Sequence, residues 1–217
     1  PEGADSLHDL AGQAQRRPGV IADICDGARL AGAVARARPD VVIHLAAQAL
    51  VRRSYLEPER TWQTNVMGTL ALLQALGSLG EAPLTLVVTT DKVYRNDESG
   101  RAFAEGDPLG GHDPYSSSKA ACELLVESWR ESFAAKGKAP VVTARAGNVI
   151  GGGDFAEDRI VPDLWRAMRA GERPVIRSPA STRPWQHVLD CLNGYLLYLE
   201  ALAGGESLPL ALNFGPD

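Results

Sequence analysis

Cysteine is scarce in this chain of 217 residues. Cys25, Cys122 and Cys191 are odd in number, widely spaced and set in apolar-looking segments. That fits reduced, buried thiols rather than a disulfide framework or a zinc motif, and no metal site is expected. Long apolar runs are lacking too: nothing reaches the ~20 residues that span a bilayer, and no leader segment is visible, so no membrane partner and a cytoplasmic location are expected. Positive charge is in short supply. The 22 Lys and Arg against 27 Asp and Glu leave a net charge of -5, with no basic tract and no basic patch interleaved with aromatics, so nucleic acid is not an expected partner. What is present, 45% hydrophobic and 23% charged residues, suits a globular chain with enough apolar material for a sizeable core.

The pattern alternates strand and helix. Val20 to Ile24 reads as a short strand, followed by a helix that Asp26 caps and that carries Leu30 and Val34 at helical spacing. Val41 to Leu45 is continuous and β-branched, as expected of a parallel strand covered on both faces. Arg60 to Leu79 is helical in pattern, with Trp62, Val66, Leu70, Leu73 and Leu76 as its apolar stripe. Thr85 to Thr90 is the next strand, Tyr115 to Lys136 a helix with Leu124, Leu125 and Trp129 as core candidates, and Val141 to Ala146 another strand. Repeated βα alternation predicts an α/β fold with a doubly wound parallel sheet, because parallel neighbours need right-handed crossovers. Two regions are expected: 1–150 as a Rossmann-like dinucleotide-binding domain, and 151–217 as part of a substrate-binding region with interleaved Rossmann elements.

Residues with chemical potential fall where an open α/β sheet puts its ligands, at the carboxyl ends of strands. Asp113 is a good N-cap and Pro114 suits the first helical position. Tyr115 therefore opens a helix, with Lys119 one turn on and on the same face. A phenol near pKa 10 is a poor base at neutral pH, but a neighbouring ammonium favours the phenolate. Thr89 to Lys92 leave another strand end, Gly147 and Asn148 a third. Ala46 and Ala47 would let a ligand approach the backbone after Leu45, or simply make a tight turn.

Five segments carry a family resemblance: His44-Leu45-Ala46-Ala47-Gln48, Thr89-Thr90-Asp91-Lys92-Val93-Tyr94, Pro114-Tyr115-Ser116-Ser117-Ser118-Lys119, Arg145 through Asp154, and Thr182-Arg183-Pro184-Trp185-Gln186-His187-Val188. The chain resembles the extended short-chain dehydrogenases/reductases, and within them the nucleotide-sugar 4,6-dehydratases, most closely those acting on CDP-glucose. The first and third segments mark the superfamily; the other three are more discriminating.

The resemblance implies an NAD-dependent lyase of deoxysugar biosynthesis that oxidises the sugar at C4, eliminates water across C5 and C6, and reduces C6. It implies that Tyr115 takes the C4 hydroxyl proton, that Thr90 hydrogen-bonds that hydroxyl, and that Lys119 lowers the tyrosine pKa and holds the cofactor ribose. Asp91 would protonate the departing C6 hydroxyl. Lys92 stands where related dTDP-sugar enzymes have glutamate, and acts as base only when neutral, which calls for burial and like charges such as Lys119 nearby. Asp23, Ile24, Leu45, Ala46, Ala47, Thr89 and Ala146 join Tyr115 and Lys119 as cofactor contacts; the competing reading of Asp23 is a helix-capping aspartate. Gln48, Asn148, Arg159, Arg183 and His187 are the substrate-side candidates. Gln48 also reads as a helix-start cap, Arg159 as a solvated charge and His187 as a structural histidine. His44 reads as packed, and Asn65 as a support for the active-site backbone. The helices over 60–79 and 115–136 imply a homodimer through a four-helix interface.

One departure stands out. No G-x-x-G-x-x-G turn precedes Asp23, so a first βαβ unit of roughly 30 residues is expected to be missing, and the C-terminal end reads as truncated too. Weak or absent NAD binding by this chain is the expectation. The alternatives are a nucleotide-sugar 4-epimerase or decarboxylase, which needs no acid–base pair after Thr90, and a non-catalytic module.

Overall fold

The structure, a computed structural model, describes residue 12 and residues 19–133 and 141–216. Asp26 caps the first helix, α1 (Gly27–Ala37), by accepting from the Arg29 N–H, and Arg38 ends it in the left-handed conformation. After β1 (Val41–His44) come α2 (Val51–Leu56) and α3 (Pro58–Trp62). A π turn over Gln63–Met67 then leads into α4 (Gly68–Gly77). β2 (Leu84–Val88) leads through a 3-10 turn at Asp91–Val93 to α5 (Pro114–Phe133). There follow β3 (Val141–Ala146), β4 (Asn148–Ile150), α6 (Ile160–Ala170), β5 (Trp185–His187), α7 (Val188–Ala203) and β6 (Ala211–Phe214).

Four of these strands form one sheet in the order β1-β2-β3-β6, every pair parallel. Successive side chains of a strand face opposite sides, and here each side has its own helices. Leu84 and Leu86 of β2 and Val142 and Ala144 of β3 meet Cys191, Tyr195, Tyr198 and Leu199 of α7. On the other side Val87 and Val141 meet Leu73 of α4 and Val126 of α5. Val34, Leu72, Ala75 and Leu76 join α1 to α4. The expected doubly wound architecture is thus observed. β6 comes from beyond residue 150 yet completes the main sheet, while β4 and β5 pair separately. No described helix is long and apolar enough to cross a membrane.

Several sequence expectations fail for identifiable reasons. Residues 20–24 form no strand. A strand needs a ladder partner for its backbone, and β1, the sheet's edge, pairs with β2 alone among the described strands. Nor is β1 covered on both faces: Val41 and Ile43, which share one face, are 44% and 37% exposed. Trp62 and Leu124, counted as core, lie on the outer faces of their helices. The helix over 60–79 is interrupted by the π turn, and the described part of the Tyr115 helix ends at Phe133. Cys122 and Cys191 are buried, but Cys25 is exposed.

Candidate active site

The start of α5 is built as its sequence demands. The Asp113 carboxylate accepts the Ser116 N–H at 3.0 Å, Pro114 takes the first helical position, and the Tyr115 N–H donates to Ser54 Oγ at 3.2 Å. Gly111 passes so close beneath that a Cβ there would sit 2.3 Å from the Ser116 carbonyl carbon. Tyr115 and Lys119 are both buried.

The Tyr115 phenol faces Thr90. Burial raises its pKa, while the Thr90 hydroxyl as hydrogen-bonding neighbour, and the Arg159 charge, pull it down. Thr90 Oγ1 in turn donates to Asp91 Oδ1 at 3.1 Å, so its lone pairs remain able to accept from the phenol. Lys119 departs from expectation. Its Nζ donates to Val88 O at 2.9 Å, burial lowers its pKa, and the Cys122 and Glu123 side chains counter that shift. The groups acting most strongly on the phenol are Thr90, Arg159, Asp91 and Asp113 rather than Lys119.

Asp91 and Lys92 sit half-buried in the turn that follows β2. Burial is the largest influence on each and drives both toward their neutral forms. The Asp91 carboxyl is raised despite the Thr90 hydroxyl and the Lys92 and Arg183 charges. The Lys92 ammonium is lowered, with Arg183 and Arg159 adding to burial and Asp91 and Asp113 opposing. The like charges on Lys92 are therefore arginines of the later chain, not Lys119.

Beside this turn opens a cleft of about 790 Å3, lined among others by Lys92, Asn148, Arg159, Ile176, Arg183 and Trp185. β4 brings Asn148 to it and β5 sets Trp185 opposite, paired in register. The segment before β5 presses on the end of β3: a Cβ on Gly147 would lie 2.6 Å from Pro184 Cγ. Three of the substrate-side candidates, Asn148, Arg159 and Arg183, are thus brought together. The other two are placed elsewhere. Gln48 spends its side chain locally, donating to Leu50 O and Thr61 Oγ1 and accepting the Leu50 N–H. His187 caps α7, its Nδ1 accepting the Leu189 N–H.

The cofactor-side candidates also divide. Leu45 and Ala46 are exposed and Ala47 half-buried where β1 ends. Asn65, itself buried, clamps that end by accepting the Gln48 N–H and donating to Gln48 O and to Ser118 Oγ, the supporting role expected of it. Asp23 does not cap a helix: it accepts the Cys25 N–H at 2.8 Å in the turn before α1, which Asp26 caps, and Ile24 packs over Gly68. Thr89 turns away from the cleft to donate to Glu123 Oε1, and Ala146 is buried in the α7 core. His44 is packed, its Nε2 2.9 Å from Thr69 Oγ1, with a pKa lowered by burial and by Lys119 to about 4.

The sequence reading missed two residues at the centre of this region. Glu123 forms a buried ion pair with Arg145 at 2.8 Å. The available signal was Arg145 itself: an arginine inside an otherwise apolar strand calls for a buried acidic partner.

A model of the NAD dependent epimerase/dehydratase family matches residues 4–213. A CDP-glucose 4,6-dehydratase of Salmonella typhimurium is 42% identical over 202 residues, which is 90% of this chain and 56% of that protein. The solved dTDP-glucose 4,6-dehydratase of Streptomyces venezuelae, with NAD bound, aligns with a TM-score of 0.79 and 27% identity, covering 95% of this chain and 63% of that one. UDP-glucose 4-epimerase of Thermus thermophilus in complex with NAD aligns with a TM-score of 0.76 and 27% identity, over 89% and 62%. The chain spans about half the length of the curated relatives it matches.

Proposed function

The chain belongs to the NAD dependent epimerase/dehydratase family, and from that premise we propose that it is the main part of a nucleotide-sugar 4,6-dehydratase acting on CDP-glucose. The observation that carries this reading is the Asp91–Lys92 pair. Beside a buried tyrosine, burial pushes a carboxyl up and an ammonium down, the directions that suit an acid holding its proton and an amine taking one. An elimination needs both, whereas a 4-epimerase needs neither. The preference for CDP-glucose over dTDP-glucose rests on the 42% identity to the Salmonella typhimurium enzyme.

NAD fits the residues at the nicotinamide end. Lys119 is buried and its Nζ donates to Val88 O, its other N–H groups being available to ribose hydroxyls. The exposed Ala46 backbone admits close approach. When bound, NAD supplies a hydride acceptor and donor. As a phenolate, Tyr115 takes the proton of the sugar C4 hydroxyl, and Thr90 hydrogen-bonds that hydroxyl. With a ketone at C4 the C5 proton is acidic; neutral Lys92 removes it while Asp91 gives its proton to the C6 hydroxyl, which leaves as water. Arg183 and Arg159 meet the diphosphate charge in the cleft, and Asn148 donates from its strand end.

We assign 1–150 to cofactor binding and 151–217 to the substrate side with interleaved sheet elements. We also propose a homodimer through α3, the π turn, α4 and α5, a surface that exposes Trp62, Met67, Leu124 and Phe133. The function is tested with Lys92→Ala in the full-length protein. The wild type converts CDP-glucose to a 4-keto-6-deoxy sugar, read by its absorbance in base; the variant still transfers the C4 hydride, read by the absorbance of the reduced nicotinamide, but releases no water. Normal dehydratase turnover in the variant would remove Lys92 from the chemistry.

A further inference from the structure

A single carboxylate, buried one helical turn beyond Lys119, ties together the elements that carry the proposed active site. Glu123 lies on α5 and is almost fully buried. Its Oε1 accepts from Thr89 Oγ1, at the end of β2. Its Oε2 accepts from Thr143 Oγ1 at 2.8 Å and from Arg145 Nη2 at 2.8 Å, both on β3. Arg145 carries the connection onward through Nη1, which donates to the Tyr94 hydroxyl at 2.9 Å and to Glu105 O at 2.8 Å. The Tyr94 hydroxyl then donates to Asn213 Oδ1 of β6 at 2.6 Å. The Thr90-Asp91-Lys92 turn is therefore bracketed: Thr89 before it and Tyr94 after it are both held by the Glu123–Arg145 pair.

A core does not need this arrangement for stability alone, because well-packed apolar residues serve as well as a buried ion pair. Arg145 even keeps its Nε buried without a partner among the described residues. What the pair supplies is register. Thr89 adjoins Thr90, and Thr90 is the hydrogen-bonding neighbour of Tyr115, a residue of the same helix as Glu123. A helix and a strand end that must meet at one hydroxyl are cross-linked a short distance away.

We propose that Glu123, held by Arg145, is a positioning residue that sets Thr90 against the Tyr115 phenol through Thr89, while its bond to Thr143 serves folding only. The inference rests on the site reading above. Two isosteric variants separate positioning from stability, since each removes one hydroxyl donor from the same carboxylate: Thr89→Val, next to the site, and Thr143→Val, one strand further away.

The first measurement is made on the free chain at pH 7 and needs no turnover. The 13C shift of the Tyr115 ring carbon bearing oxygen, assigned with Tyr115→Phe, reports the phenol's hydrogen bond. At fixed pH that shift also senses the charged and polar groups facing the phenol, Asp91, Asp113, Arg159 and Tyr195, none of which the variants alter. The shift is expected to move in Thr89→Val and Glu123→Gln and to stay in Thr143→Val. In turnover by the full-length protein, kcat of Glu123→Gln falls about 100-fold with KM unchanged, the loss expected when catalytic groups are misplaced by about 1 Å. Thr89→Val follows it and Thr143→Val keeps wild-type kcat, although the two melt at similarly lowered temperatures. Equal kcat losses in the two threonine variants, or a Tyr115 signal unmoved in Thr89→Val, would overturn the proposal. Should Glu123→Gln fail to fold, the threonine pair decides. A wild type inert toward every nucleotide hexose refutes the dehydratase reading, and the Tyr115 signal then decides the positioning role by itself.

Discussion

Lowering the pH should destabilise this protein by way of one imidazole on the sheet's edge strand. His44 is buried, bonded through Nε2 to Thr69 Oγ1, and lies within the influence of the Lys119 charge; together burial and that charge bring its pKa from 6.5 to about 4. Because the folded value is lower, the unfolded chain binds the extra proton first, so this contribution is complete above about pH 6.5 and is lost as pH falls toward 4. A displacement from 6.5 to about 4 at 1.36 kcal/mol per unit amounts to roughly 3 kcal/mol, a large part of an ordinary domain's stability. The assay is urea unfolding at pH 7, 6, 5 and 4 of the wild type and of His44→Gln, which stays neutral throughout and can still bond Thr69. Subtracting one profile from the other removes the carboxylates they share, Asp91 among them. The wild type should lose about 3 kcal/mol more than the variant between pH 7 and 4. Parallel profiles would show that the imidazole is solvated in the native state and refute the argument.

Gly147→Ala places a methyl 2.6 Å from Pro184 and should push the Arg183 segment off the strand end. KM for the nucleotide sugar is expected to rise while the melting temperature moves little, and an unchanged KM would separate that segment from substrate binding. Asn65→Ala removes the acceptor for the Gln48 N–H and the donor to Gln48 O, leaving half-buried backbone groups unpaired, at no more than about 1–3 kcal/mol each. Chemical denaturation should show a loss of that order, together with faster amide exchange at Gln48.

The helices and their caps were legible in advance because their determinants are local. Asp26 and Asp113 cap as read, Pro114 opens its helix, and the apolar run at Val141 to Ala146 forms the strand expected. The Tyr115–Thr90–Asp91–Lys92 grouping was legible as well, since strand ends and a helix start converge on one edge of a parallel sheet. Less legible were residues whose role depends on what lies beside them. Asp23, Gln48 and His187 are short polar side chains near chain turns, and each bonds backbone within two residues. Val20 to Ile24 has strand composition but no ladder partner among the described strands.

The order of residues along the chain determined, by itself, the alternation of strand and helix, the parallel sheet, and which side chains of β2 and α5 stand at its carboxyl edge, because hydrophobic period and capping act over a few residues. Tertiary structure alone decided the protonation tendencies of Asp91 and Lys92, the turning of Lys119 toward Val88, and the Glu123–Arg145 pair. Desolvation and charge act through space, and the groups responsible come from segments far apart in the sequence.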